Sequence, residues 1–177
     1  EGHAVRVLRE PGGTESGEQI RKLLKHGPKN LTAEAELLLM NASRAQLVRE
    51  VIRPALAGGD VVLCDRFYDS STVYQGAGRG LDTAQVQSII DFAVGETRPD
   101  LTILLQIPIE ISEKRRANRL ATDRFESANR EFFERIEAGY AALAQSEPDR
   151  IRAINADRPL DTVQADIWTA VSNVLKS

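Results

Sequence analysis

The stretch Val61–Gly80, VVLCDRFYDSSTVYQGAGRG, constrains this chain more than any other. A short apolar run, Val61 to Cys64, stops abruptly at Asp65-Arg66. Hydroxyls (Ser70, Ser71, Thr72), a Tyr-Gln pair (Tyr74, Gln75) and a glycine-flanked Arg79 follow. An apolar run of that length has the pattern of a buried parallel strand. In open α/β sheets the ligand sits in the crevice beyond the carboxyl ends of such strands. Asp65 and Arg66 are therefore expected where a phosphate, or a metal carrying phosphate, is met.

The rest of the chain alternates in the same way. AVRVL, Ala4 to Leu8, is a short strand running into a turn, Arg9-Glu10-Pro11-Gly12-Gly13-Thr14. Ser16 followed by Gln19 has the form of a capping box, and Ile20, Leu23 and Leu24 supply the next helix with an apolar face. Gly27-Pro28 ends it. Thr32 is placed to cap a long helix, Ala33 to about Arg53, with Leu37, Met40, Leu47, Val48 and Val51 on one stripe. After the Val61–Cys64 strand and its loop, a helix is predicted from about Thr83 to Val94. Leu101 to Ile107 is a third strand, and Pro108 suits the first turn of a following helix. Arg115 to Glu126 is arginine-rich without an apolar face and is expected to be a mobile segment, a lid over about 115–128. A helix from about Arg130 to Gln145, a strand Ile151–Ile154 and a helix Leu160–Leu175, with Trp168 as packing, complete the pattern. Alternating strands and helices specify an α/β fold, a parallel sheet with helices on both faces in three layers. The length of 177 residues fits a single domain, 1–177.

Composition narrows the function classes. A net charge of −3 argues against general attraction to nucleic acid or to a membrane surface, both of which need a basic excess. No apolar stretch approaches transmembrane length and no signal-peptide start is visible. The lone Cys64 rules out an internal disulfide and suits a reducing compartment, the cytoplasm. There is no internal repeat and no low-complexity tract.

Several residues carry chemistry. Arg44 falls on the apolar stripe of its helix, where an arginine costs desolvation unless paired. Two readings stand: an internal ion pair, or a ligand-facing fork for carbonyl or phosphate oxygens. Gly12-Gly13 either lets backbone approach a ligand or is a plain turn. In the arginine-rich segment, Arg115 and Arg116 read as a solvated face. Arg119 and Arg124 are the candidates for neutralising charge during phosphoryl transfer.

In order along the chain, REPGGT (Arg9–Thr14), AELLLMNASRAQ (Ala35–Gln46), CDRFYDSSTVYQGAGRG (Cys64–Gly80), RPDLTILL (Arg98–Leu105) and DRFE (Asp123–Glu126) closely resemble the bacterial thymidylate kinases. The resemblance runs across essentially the whole chain. It implies a P-loop nucleoside monophosphate kinase that moves the γ-phosphate of ATP to dTMP with Mg²⁺, usually as a homodimer. By matching position, Arg44 hydrogen-bonds the thymine edge and Arg66 holds the dTMP phosphate. Asp65 stands beside it near the metal or the attacking oxygen. Ser70 and Gln75 line the nucleoside pocket, Tyr74 presses on the deoxyribose, and Glu10 sits beside the acceptor nucleotide. The turn Asn155–Arg158 passes near adenine, and the lid arginine of the family falls at Arg119 or Arg124.

Two departures accompany the resemblance. Met40 stands where the family places a phenylalanine that stacks on thymine; a thioether packs on a base with less fixed geometry. No G-x-x-x-x-G-K-[ST] sequence, the loop that cradles ATP phosphates, occurs in the 177 residues. The expectation is that about 30 further N-terminal residues, a strand–loop–helix unit, carry it. The alternatives are a catalytically inactive nucleotide-binding module and another nucleoside or nucleotide kinase.

Overall fold

Parallel strands need a long crossover between them, because a hairpin reverses direction. The computed structural model, which describes residues 2–28, 30–117 and 129–176, contains two such crossovers. β1 (Val5–Arg9) pairs in parallel with β2 (Val61–Asp65), in register from Val5↔Val61 to Arg9↔Asp65. β3 (Thr102–Gln106) pairs in parallel with β4 (Ile151–Asn155), from Thr102↔Ile151 to Gln106↔Asn155. The pairs belong to two units, one of residues 2–98 and one of 99–117 with 129–176. The fold is α/β, as expected, and its described strands form two parallel pairs.

In the first unit the crossover begins with α1 (Glu15–His26). Its cap is Thr14, whose hydroxyl accepts the Gly17 N–H at 3.0 Å, so the Ser16–Gln19 box predicted from sequence lies inside the helix instead. Glu15 and Glu18 in the first turn suit the positive end of the helix dipole. Leu24 is buried but Leu23 is exposed, which narrows the expected apolar face. α2 (Ala33–Leu47) is capped by Thr32 and continues into a π-helical turn (Val48–Ile52) and α3 (Arg53–Ala57). Pro54 explains the widened turn. It has no N–H to donate and its ring crowds the carbonyl one turn back, while the Arg53 N–H reaches Val48 O, five residues earlier.

Beyond β2, the residues expected as a loop are helical: α4 (Tyr68–Ser71), then a π-helical turn (Thr72–Gly78). α5 (Thr83–Val94) starts at Asp82, whose carboxylate accepts the Gln85 N–H at 2.9 Å. Leu37, Leu47, Val48, Ile52, Tyr68, Val86, Ile90, Ala93 and Val94 form the core, and Leu8, Val62 and Cys64 pack onto it from the strands. Alternation along the strands turns Val5, Val7 and Leu63 to the opposite face, where they are 54%, 73% and 57% exposed.

In the second unit, α6 (Ile109–Ala117) follows Pro108, and α7 (Arg130–Ser146) is capped by Asn129. α6 takes in Arg115 to Ala117, the first residues of the expected lid; the remainder, with Arg119 and Arg124, lies outside the described residues. Arg130 bridges α6 and α7 through Glu110 and Glu113, besides pairing with Glu134. α7 and α8 (Leu160–Val174) pack on β4, burying Phe132, Ile136, Ile151, Ile154 and Val163. Trp168, expected as packing, is 56% exposed on α8. Among the described residues no helix is long and apolar enough to cross a membrane.

Candidate active site

The end of β2 sets the geometry. The Asp65 carbonyl accepts the Glu10 N–H at 3.0 Å, which joins the turn after β1 to the end of β2. Arg66 then adopts φ 67°, a left-handed conformation that costs a non-glycine residue energy and collects at functional sites. Its guanidinium lies over the Tyr74 ring, 5.0 Å from the centroid, and donates to the Tyr74 hydroxyl at 3.3 Å. An exposed cation is thereby held at the carboxyl edge of the strand by a residue eight positions on. Asp65 is exposed beside it.

Arg44 is buried, 2% exposed, and every donor of its guanidinium has a partner. Nε donates to Glu10 Oε2 at 2.8 Å, and the NH2 group pairs with the same oxygen at 2.7 Å and donates to the Phe67 carbonyl at 3.3 Å. NH1 donates to Asn41 Oδ1 at 2.7 Å and to Ser71 Oγ at 3.0 Å. The internal ion pair anticipated as one reading of Arg44 is therefore present, with Glu10 as its partner. Burial pushes the Glu10 carboxyl above its ordinary range, and the Arg44 charge opposes that shift. Glu10 Oε1 is buried without a partner, an acceptor that a donor group on a ligand can satisfy.

A second buried carboxylate lies on the same helix. Glu36, 0% exposed, accepts from Gln75 Nε2 at 2.7 Å and pairs with the Arg79 NH2 group at 3.2 Å. Glu36, Met40 and Arg44 are spaced by four, so they share one face of α2. Met40 is half-buried between the two charged neighbours in sequence.

The remaining predicted residues fall as follows. Tyr74 and Gln75 lie in the π-helical turn and Ser70 in α4, half-buried, while its neighbour Ser71 is the serine that meets Arg44. The N–H groups of Gly12 and Gly13 are both taken within the protein, by Ser43 Oγ at 3.1 Å and Glu18 Oε1 at 3.0 Å. Gly12-Gly13 is thus a plain turn, and its form requires glycine: a Cβ on Gly13 (φ +80°) would meet Leu47 Cδ1 at 2.8 Å. Asn155, in the second unit, accepts the Asp157 N–H on its side chain at 2.9 Å and so shapes its own turn. Among the described residues no cluster of three or more His, Cys, Asp or Glu is arranged to hold a metal. Burial, reinforced by the Glu10 charge, pushes the Cys64 thiol up to about 12.

Glu36 and Asn41 went unmarked in the sequence, and Ser71 and Arg79, though part of the Val61–Gly80 stretch, had no role assigned there. Glu36 carried the same signal as Arg44, a charged residue in an otherwise apolar helical row. Asn41 carries no charge to mark it although its partner Arg44 is three residues away, and Ser71 meets Arg44 from 27 positions away, a contact only the fold brings about.

Residues 1–167 match the family model described as thymidylate kinase. The chain is 47% identical to a thymidylate kinase of Alcanivorax borkumensis over 176 residues, 98% of this chain and 84% of the relative. It is 46% identical to one from Deinococcus radiodurans, over 97% of this chain and 83% of the relative. The crystal structure of thymidylate kinase from Ehrlichia chaffeensis superposes with a TM-score of 0.75 at 28% identity, covering 94% of this chain and 79% of that one.

Proposed function

Because the chain belongs to the thymidylate kinase family, we propose that it phosphorylates dTMP to dTDP with ATP, and that the first unit holds the acceptor nucleotide. The observation that carries this reading is the Arg66–Tyr74 pair: an exposed guanidinium fixed at the end of a parallel strand, where phosphate is met. A guanidinium forms charge-assisted, paired hydrogen bonds with phosphate oxygens.

In the reaction a phosphate oxygen of dTMP attacks the γ-phosphorus of ATP, the bond from that phosphorus to the β–γ bridging oxygen breaks, and ADP leaves. The protein contributes positioning and charge. Arg66 holds the acceptor phosphate, Tyr74 aligns Arg66 and packs on the deoxyribose, and Ser70 and Gln75 line the nucleoside pocket. Met40 packs on the base, and Glu10 and Arg44 form the buried wall beside it. Arg119 or Arg124 neutralises charge on the transferred group, and Asn155 shapes the turn that meets ATP. Asp65 would hold Mg²⁺, which typically takes one or two carboxylates alongside water and substrate phosphates. An exposed carboxylate beside Arg66 fits that role. When bound, Mg²⁺ offsets phosphate charge. A homodimer and a cytoplasmic location belong to the same proposal.

Titration with dTMP and with thymidine tests the acceptor assignment. Arg66→Ala is expected to weaken dTMP by on the order of 1.5–3 kcal/mol and thymidine little. Equal losses for both ligands would mean that Arg66 serves the fold rather than the phosphate.

A further inference from the structure

We propose that Glu36 is a positioning residue that fixes the side-chain amide of Gln75, turning its carbonyl oxygen to the acceptor base so that the site selects a base bearing an N–H donor. The proposal rests on the reading above, in which Gln75 lines the nucleoside pocket. Gln75 is 1% exposed, and its Nε2 donates to Glu36 Oε1 at 2.7 Å. A carboxylate paired with a guanidinium offers acceptors only, and Arg79 pairs with Glu36 at 3.2 Å. Facing Glu36, the Gln75 amide can therefore present only its NH2. The amide is planar, with its oxygen and nitrogen on opposite sides, so Oε1 is left for whatever the pocket binds. Thymine carries a donor at N3, whereas cytosine carries an acceptor there. With its amide flipped, Gln75 would favour cytosine.

The placement of Glu36 supports this role. It lies one turn before Met40 and two turns before Arg44 on the same face of α2. Gln75 lies in the π-helical turn that also carries Tyr74 and Arg79 ends it, so a single buried carboxylate anchors that turn to α2. An internal carboxylate without such a role is costly to keep buried.

Glu36→Gln keeps size and shape but lets the side chain at 36 present either an oxygen or an NH2 to Gln75. The native protein should prefer dTMP to dCMP, and Glu36→Gln should narrow that preference about tenfold, the worth of one hydrogen bond. Arg79→Lys keeps a positive charge beside Glu36, so the Glu36–Gln75 bond stays in place and the ratio should not change. In the native protein, the Gln75 NH2 protons should stay protected from exchange when dTMP binds. An unchanged ratio in Glu36→Gln would overturn the inference, as would an equal narrowing in Arg79→Lys or loss of Gln75 protection on binding dTMP. That last measurement decides the matter even if Glu36→Gln fails to fold. A native protein that shows no preference for dTMP would overturn the function reading itself, whatever Glu36 does.

Discussion

Single side chains in this protein are best understood through what they are bonded to. Tyr74 supports Arg66 in two ways, with its ring face and with its hydroxyl. If the ring also packs against the deoxyribose, the two uses separate by substitution. Tyr74→Ala should narrow the preference for dTMP over the corresponding ribonucleotide, while Tyr74→Phe, which keeps the ring, should preserve it. Competition titrations with both sugars read the ratio, and a preserved ratio in Tyr74→Ala would move sugar choice to another residue. Cys64 makes a different kind of prediction. With its pKa pushed up to about 12, chiefly by burial, it should stay a thiol through the neutral range. On the order of one molecule in ten thousand would carry a thiolate at pH 8, so a thiol reagent should label the native protein far more slowly than the unfolded chain. Labelling at the rate of a free cysteine would show that β2 opens readily.

Among the elements, α1 offers the clearest test of local structure. Its Thr14 cap accepts the Gly17 N–H, whereas Ser16 lies within the helix. Thr14→Ala should destabilise the protein by about 1 kcal/mol, and Ser16→Ala should be nearly neutral, as measured by denaturant unfolding. The reverse order would restore the capping box read from sequence. That box misled because spacing alone cannot show where a preceding turn hands over to helix. β2 and α5 were legible because a short apolar run marks the one and apolar residues at helical spacing mark the other. The two π-helical turns were not. One follows from Pro54, and the other holds Gly76 and Gly78, residues that favour a loop when read alone. Tertiary packing of Val73 and Gln75, both 1% exposed, outweighs that preference.

Across the whole molecule, the class of the fold and the polar residues that end β2 could be read from the sequence, because strand-end polarity is a local signal. The partners that make the site could not. Glu10 and Arg44 are 34 residues apart, and Glu36 and Gln75 are 39 apart, so only the fold brings them together. Brought together in this way, they line the acceptor site proposed for dTMP. The most direct measurement supplies the intact protein with ATP and Mg²⁺ and offers dTMP, dCMP, dAMP, dGMP and thymidine in turn, following nucleoside diphosphate formation. dTDP should form from dTMP at a catalytic efficiency well above that for every other acceptor. Faster turnover of another monophosphate or of thymidine would contradict it, as would tight dTMP binding with no turnover at all.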